Sequence, residues 1–232
     1  MATIEVLGVK DTIGEENKQY EKALKSAEEA FKEVYGILEA DNFISKEGWK
    51  KEVESDKDVV YSKRTDTGKL FAIRSEMPGD VEMVFNDLFN GFNEIPQWHS
   101  KVEFSKYVAR PTEHVNIVHY GTREFLTVSG RDYVTVEIYR KTNEKTYVMA
   151  GKSIELPDLP EKKPFVRADM RIGGGRLTQK EGDPGTTIID YLLCLDLKGN
   201  LPMDLINKFM GRLILLDYAE LRKHLAKLKA AK

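Results

Sequence analysis

The middle of this chain, residues 102–195, is a succession of short segments rich in Val, Tyr, Thr and Ile that are separated by brief turns. These turns leave no room for the helix that joins two parallel strands, so neighbouring strands are predicted to be antiparallel. The nine predicted strands of the whole chain are 49–53, 59–64, 69–76, 102–110, 115–123, 132–140, 146–154, 165–172 and 186–195. So many consecutive strands predict an antiparallel sheet that curls.

Helical patterns lie before, within and after these strands. Residues 15–39 carry apolar side chains at three-four spacing and are predicted to form an amphipathic surface helix. A short helix is predicted between an N-cap at Asp80 and a stop at Gly91. The last helix, from Pro202 to about Leu228, is apolar almost all round, so more than one of its faces must be covered. Three interpretations stay open: plain core, a groove for a partner helix, or a lid on an apolar cavity.

Charge and cysteine content limit the function classes. The 36 Lys and Arg residues face 38 Asp and Glu residues, for a net charge of -2, and the two signs are interleaved. Nucleic-acid binding needs a clustered basic face, so no nucleic-acid partner is expected. No run approaches the ~18 apolar residues of a membrane span. The single Cys194 lies in an apolar run and is expected to be buried and inert. The sequence therefore predicts one cytoplasmic domain over residues 1–232.

Strong catalytic motifs are missing from the sequence. The four histidines, His99, His114, His119 and His224, do not have the spacing of metal ligands. The glycine run 173–175 lacks the Lys and Ser/Thr of a phosphate-binding loop and is expected to be a tight turn or bulge. A catalytic function is therefore disfavoured, with no metal and no cofactor expected.

Five stretches occur in the order and approximate spacing of START domains. They are Glu47-Gly48-Trp49-Lys50-Lys51-Glu52, the segment around Trp98, Gly130-Arg131-Asp132-Tyr133-Val134, Val166-Arg167-Ala168 and Asp196-Leu197-Lys198-Gly199-Asn200-Leu201-Pro202. Over residues 45–228 the chain most resembles the branch that contains the steroidogenic acute regulatory protein. The resemblance implies an α+β helix-grip fold, in which a curved antiparallel sheet of about nine strands wraps around the long C-terminal helix. It also implies an internal cavity that holds one lipid as cargo.

The resemblance further implies which residues meet the ligand. Cholesterol-binding members of the family place a buried acid and a buried Arg in the cavity, and these positions fall on Tyr120 and Glu137 here. The pair is not retained, which favours a rewired polar end and a carotenoid over a sterol. The predicted ligand-binding residues are Trp98, His99, Tyr120, Tyr133, Thr135, Glu137, Met149, Phe209, Met210, Leu213 and Leu216. A cholesterol carrier and an enzyme on the same fold are the alternatives.

The alternation of side chains along the predicted strand 132–140 does not decide whether Glu137 faces the cavity. It puts Glu137 on the face opposite Val134, Val136 and Ile138, and the residues alone would send that Val/Ile face inward and leave Glu137 in water. A Glu137 that faces the cavity is expected to have a raised pKa unless it is paired. Trp98 is expected to serve either as a core anchor or as a wall for the ligand.

Several expectations concern the surroundings of the cavity. Arg131 is expected to form a surface or turn ion pair with Asp132 or a neighbour. The loop 126–130 is expected to be a gate that opposes the last helix. The expected partners are a small hydrophobic ligand and, transiently, a membrane for loading and release, and the protein is expected to be a monomer.

Overall fold

The computed structural model describes residues 2–125, 128–199, 201 and 203–231. Among these residues, two strands form a separate N-terminal hairpin and ten form one sheet. The strands are β1 (Thr3–Val6), β2 (Val9–Thr12), β3 (Lys50–Glu54), β4 (Val59–Thr65), β5 (Gly68–Pro78), β6 (Val102–Thr112), β7 (Val115–Thr122), β8 (Arg131–Asn143), β9 (Thr146–Ser153), β10 (Val166–Arg167), β11 (Asp169–Gln179) and β12 (Thr186–Asp196). The predicted segment 165–172 divides into β10 and the start of β11, and the β1–β2 hairpin was not predicted.

The described part of the chain contains five α-helices. They are α1 (Glu21–Glu39), α2 (Asp41–Ser45), α3 (Val81–Phe85), α4 (Ile95–Trp98) and α5 (Met203–Ala230). The first α-helix starts later than the predicted residue 15, because residues Glu15–Tyr20 form a 3-10 helix. Asp80 caps α3 as predicted, since its Oδ1 accepts a hydrogen bond from the Met83 backbone N–H at 2.8 Å. None of the described helices is long and apolar enough to cross a membrane.

The large sheet confirms the antiparallel prediction. Its strand order is β3-β4-β5-β12-β11-β9-β8-β7-β6, and each neighbouring pair on this path is antiparallel. The two-residue β10 adds a parallel pairing with β8. The last strand in sequence, β12, therefore lies near the middle of the sheet, beside β5 and β11.

Each face of the sheet is covered by one long helix. Val136 and Ile138 of β8 point to the outer face and share a buried cluster with Phe31 of α1. On the inner face, Ile73 of β5 belongs to the cluster that contains Ile214 of α5. The molecule thus has three layers, and its two buried clusters lie on opposite sides of the sheet.

The glycine run 173–175 lies inside β11 and pairs in regular register with β9 and β12, so the predicted tight turn or bulge is wrong. Gly174 has a φ of +152°, and a Cβ on it would lie 2.3 Å from the Met149 carbonyl oxygen. A Cβ on Gly175 would lie 2.1 Å from the Asp190 carbonyl oxygen. The strands on both sides of β11 therefore approach too closely for any side chain at these positions. Glycine in a strand permits this close approach and a sharper bend of the sheet.

A Gly174→Ala substitution tests the close approach. We expect it to lower the free energy of unfolding by roughly 3 kcal/mol or more, because the new Cβ would meet backbone atoms on β9 that cannot move aside. Urea denaturation followed by circular dichroism measures the change. The matched control is Gly36→Ala on α1, where a Cβ would have no neighbour within 4 Å, and a gain of about 0.5–1 kcal/mol is expected there. Equal effects at the two glycines would contradict the account.

Candidate ligand-binding site

Glu137 lies on the inner face of β8, opposite the Val and Ile side chains that pack on α1. Its side chain is half-buried, and this burial raises the pKa of its carboxyl to about 7. Within the described part of the chain, no hydrogen bond or ion pair joins this carboxyl to another residue, and burial is the sole cause of the shift. The alternative that turns the Val/Ile face toward the C-terminal helix and leaves Glu137 on the other side of the sheet is therefore wrong. The reason is that α1 covers the Val/Ile face, which the sequence pattern alone did not reveal.

Tyrosine side chains gather around Glu137 from two walls of the curled sheet. Tyr120 of β7 stacks on Tyr133 of β8, with ring centroids 4.8 Å apart and planes 11° apart. Burial raises the pKa of Tyr120, and the nearby phenols of Tyr133 and Tyr191 raise it further. Tyr191 belongs to β12, which is four strands away from β7 in the sheet order. The two phenols are neighbours in space because the sheet curls and brings these strands face to face.

An internal space lies between these walls. Tyr120, Glu137 and Tyr191 lie deep in the molecule, where burial raises the pKa of each side chain. Each nevertheless retains accessible surface and is only half-buried. Deep side chains that keep accessible surface border space that their neighbours do not fill. The residues around Glu137 therefore border unfilled space on the inner face of the sheet, and this space is the hollow of the candidate site.

The remaining predicted residues of β8 and β9 also lie on the inner face. Thr135 is fully buried, and its Oγ1 has no hydrogen-bond partner among the described residues. Met149 of β9 is half-buried in the cluster that α5 covers. The polar atoms of this wall are therefore few, and apolar side chains surround them.

Of the four predicted residues on α5, two face the sheet and two face away from it. Met210 is buried and Leu213 is half-buried, and both pack on the inner face of the sheet. In contrast, Leu216 is 53% exposed and Phe209 is 37% exposed. Leu216 lies in a groove on the outer side of α5, so its prediction as a cavity residue is wrong. Phe209, seven residues before it, shares that helix face, whereas Met210 and Ile214 point inward.

Trp98 and His99 contact α5, and no contact joins them to Glu137 among the described residues. The Trp98 ring stacks on His224, with centroids 4.3 Å apart and planes 9° apart. His99 lies 3.5 Å from the Asp217 carboxylate and 3.7 Å from that of Glu220. These contacts favour the interpretation of Trp98 as an anchor, in this case for α5, and a direct role in ligand binding stays a prediction.

Arg131 is buried, and no ion pair joins it to Asp132 or to any other acid among the described residues, so that expectation is wrong. Its guanidinium donates to the carbonyl oxygens of Ser129, Leu197 and Lys198 at 2.6, 3.1 and 3.2 Å. These bonds hold the loop that leads from β12 to α5. Of the predicted gate 126–130, residues 126 and 127 lie outside the described residues.

Burial would raise the pKa of the Asp132 carboxyl, but hydrogen bonds from Arg167 and His119 hold it below its usual value. The Arg167 bond to Asp132 Oδ2 is 2.8 Å long, and the His119 contact with the same oxygen is 2.9 Å. Asp132 thus ties β8 to β7 and β10 beside the Tyr120–Tyr133 wall.

Comparison with known proteins decides the family. The START domain model matches residues 30–231 of the chain. The chain belongs to the START domain family. It is 36% identical over 224 residues to steroidogenic acute regulatory-like protein 1 of Caenorhabditis elegans, covering 96% of this chain and 86% of that protein. It is 31% identical over 207 residues to the mitochondrial steroidogenic acute regulatory protein of Homo sapiens, covering 87% and 70%.

A solved structure agrees with the fold of this START domain. Human StAR-related lipid transfer protein 5 superposes with a TM-score of 0.80 at 20% identity, covering 90% of this chain and 99% of that one. The predicted helix-grip fold, a curved antiparallel sheet with a long C-terminal helix, is confirmed.

The START domain has a wall of the hollow that the sequence analysis missed. Tyr191, Leu193 and Leu195 of β12 and the following Leu197 pack toward α5, and Leu193, Leu195 and Leu197 also contact the Tyr120–Tyr133 wall. The alternation of these residues with the outward Leu192 and Cys194 was a usable signal. It was overlooked because the whole run is apolar and reads as one buried strand. Cys194 is buried as predicted, and burial raises the pKa of its thiol.

Replacing Glu137 by Gln tests the buried carboxyl. The pKa of Glu137 is raised above its unfolded value, so the folded protein keeps a proton that the unfolded chain loses between about pH 4.5 and 7. The wild-type protein should therefore lose stability relative to Glu137→Gln as the pH rises through this window, by roughly 3 kcal/mol in total. Urea denaturation of both proteins from pH 4 to pH 9 measures the difference. A difference that is independent of pH would put Glu137 in contact with water.

Proposed function

We propose that this START domain binds and carries one hydrophobic isoprenoid lipid that bears a hydroxyl group, with a carotenoid preferred over a sterol. The observation that carries the proposal is Glu137, an enclosed carboxyl without a described partner on a wall that is otherwise mostly apolar. Its pKa of about 7 means that both protonation states are populated near neutral pH. It can therefore accept a hydrogen bond from a ligand hydroxyl or donate one to it.

The apolar walls supply most of the affinity in this account. Removing apolar ligand surface from water stabilises the complex by about 25 cal/mol per Å², and few directed contacts are needed. Leu193, Leu195, Met149 and Met210 provide such walls. Burial keeps the phenols of Tyr120 and Tyr191 protonated, because it raises the pKa of both, so they are further donors for a polar end group.

The preference for a carotenoid rests on the chemistry around Glu137. The family's cholesterol binders were expected to hold an acid and an Arg in the cavity, whereas no cation contributes to the pKa of Glu137 here. A lone carboxyl with tyrosine neighbours suits a hydroxyl at the end of a long hydrocarbon. Sterol transfer is the alternative, and the names of the steroidogenic acute regulatory relatives favour it.

Transport follows from binding in this proposal. The lipid is cargo and no cofactor is needed, so the protein acts as a non-catalytic carrier in the cytoplasm and meets membranes only for loading and release. Helix α5 closes the hollow on one side, since Ile206, Met210 and Ile214 belong to the inner cluster. Opening of this closure is the step that must occur at a membrane.

The direct test is to load the protein with an equimolar mixture of lutein and cholesterol, purify it and extract the bound lipid. We expect one lipid per protein and an excess of lutein. Recovery of cholesterol alone would overturn the carotenoid preference, and recovery of neither would overturn the carrier proposal. Lipid that is chemically altered after long incubation would favour an enzyme on the same fold.

A Glu137→Met substitution tests the polar contact. We expect about a tenfold weaker affinity for lutein, because one hydrogen bond to the ligand hydroxyl contributes about 1–1.5 kcal/mol. The affinity for β-carotene, which has no hydroxyl, should be unchanged or higher. Quenching of tryptophan fluorescence measures both affinities. Leu193→Met on the opposite wall is the matched control, since it changes shape without removing a polar group. A parallel loss for both carotenoids would mean that Glu137 acts only through packing.

A further inference from the structure

Helix α5 also presents a stripe of residues on the side that faces away from the sheet. This outer stripe consists of Arg212, Leu216, Ala219, Lys223 and Ala226, at alternating steps of four and three residues. A mean spacing of 3.5 residues keeps such a stripe on nearly one face of a helix, with a drift of only about 20° per heptad, and this is the pattern of two helices that pack along each other. Leu216 in its middle is 53% exposed, and the small side chains of the two alanines leave room for another backbone to approach.

The outer stripe borders a groove of about 760 Å³ whose opposite wall is the β3–β4 turn, residues 55–58. This turn is rigid, because the Ser55 backbone N–H donates to the Asp58 carbonyl at 2.8 Å and the Ser55 hydroxyl accepts from the Asp58 N–H at 3.1 Å. Arg222 of α5 donates to both carboxylate oxygens of Asp58 at 2.9 and 2.7 Å, and also to the Ser75 hydroxyl. The two walls are therefore fastened together, and the groove exists before anything binds.

The charges around the groove have one dominant sign. Lys57, Arg212 and Lys223 border it, and the one exposed acid on its lining is Asp56. The ion pair between Arg222 and Asp58, which joins the two walls, has no net charge. The three cations form no ion pair with an acid elsewhere in the described ranges, so the groove has two excess positive charges on a chain whose net charge is -2.

We propose that this groove is a docking site for an acidic amphipathic helix of a partner protein. Residues 212–226 extend about 21 Å along α5, which matches a partner helix of about fourteen residues. Apolar side chains of the partner would pack on Leu216 and between the two alanines, and acidic side chains on its flanks would pair with Arg212 and Lys223. A flat bilayer would rest on the two walls and leave the apolar floor unfilled. This role is independent of which lipid the hollow carries.

The test uses a synthetic helical peptide, stapled to fix its conformation, with Leu and Ala along one stripe and Glu on both flanks. Its binding to the full chain is measured by fluorescence anisotropy at low salt, beside a peptide in which Gln replaces each Glu. We expect the Glu peptide to bind at least tenfold more tightly than the Gln peptide. The double variant Arg212→Glu/Lys223→Glu should weaken binding of the Glu peptide by tenfold or more. Leu216→Ala should weaken both peptides.

Controls separate the groove from general charge effects. Lys106→Glu/Lys162→Glu changes the net charge equally at exposed sites away from α5 and should leave binding unchanged. Equal binding of the two peptides, or equal loss in the control variant, would overturn the proposal. Vesicles of equal parts phosphatidylcholine and phosphatidylserine form the second arm. Vesicle binding that depends on Arg212 and Lys223, without peptide binding, would assign the groove to a membrane surface, and concentration-dependent dimerisation lost in Leu216→Ala would assign it to a second copy of the chain.

Discussion

Helix α1 packs on the outer face of the sheet and buries there Val136 and Ile138, the side chains that flank Glu137 along β8. Because successive side chains of a strand point to opposite faces, this contact forces Glu137 inward. The free energy of burying the apolar outer face thus holds a carboxyl in a place that a solitary charge would avoid. The raised pKa of Glu137 and the hollow around it both depend on this arrangement.

Curvature of the sheet also shapes the space around Glu137. Gly174 and Gly175 leave no room for a Cβ against β9 and β12, and the sheet curls enough to bring Tyr191 near Tyr120. Helix α5 then covers the open side. Its inward residues contact the sheet, and polar contacts with the segment after α4, such as Ser100 with Glu220, fix its C-terminal half. The enclosed space is therefore a consequence of the fold as a whole.

Much of this fold could be predicted from local patterns, and its interior only in part. Alternation of residue types located the strands, and short turns made them antiparallel. The sequence of β8 does not indicate which of its two faces is the inner one. That depends on α1, a helix about a hundred positions earlier in the sequence, which covers the other face. Tyr191 was missed since both faces of β12 are apolar, and Leu216 was misplaced because α5 is apolar on its outer side as well.

The central claim is that a lipid hydroxyl meets the Glu137 carboxyl inside the hollow. Carbon-13 NMR of protein labelled at glutamate side chains, assigned with Glu137→Gln, follows this one carboxyl as the pH is changed. Without ligand its midpoint should lie near the pKa of about 7 that burial produces. Saturation with lutein should shift both the Glu137 resonance and its midpoint, whereas β-carotene should leave the resonance free of any hydrogen-bond shift. An identical titration with and without bound lutein would contradict the account.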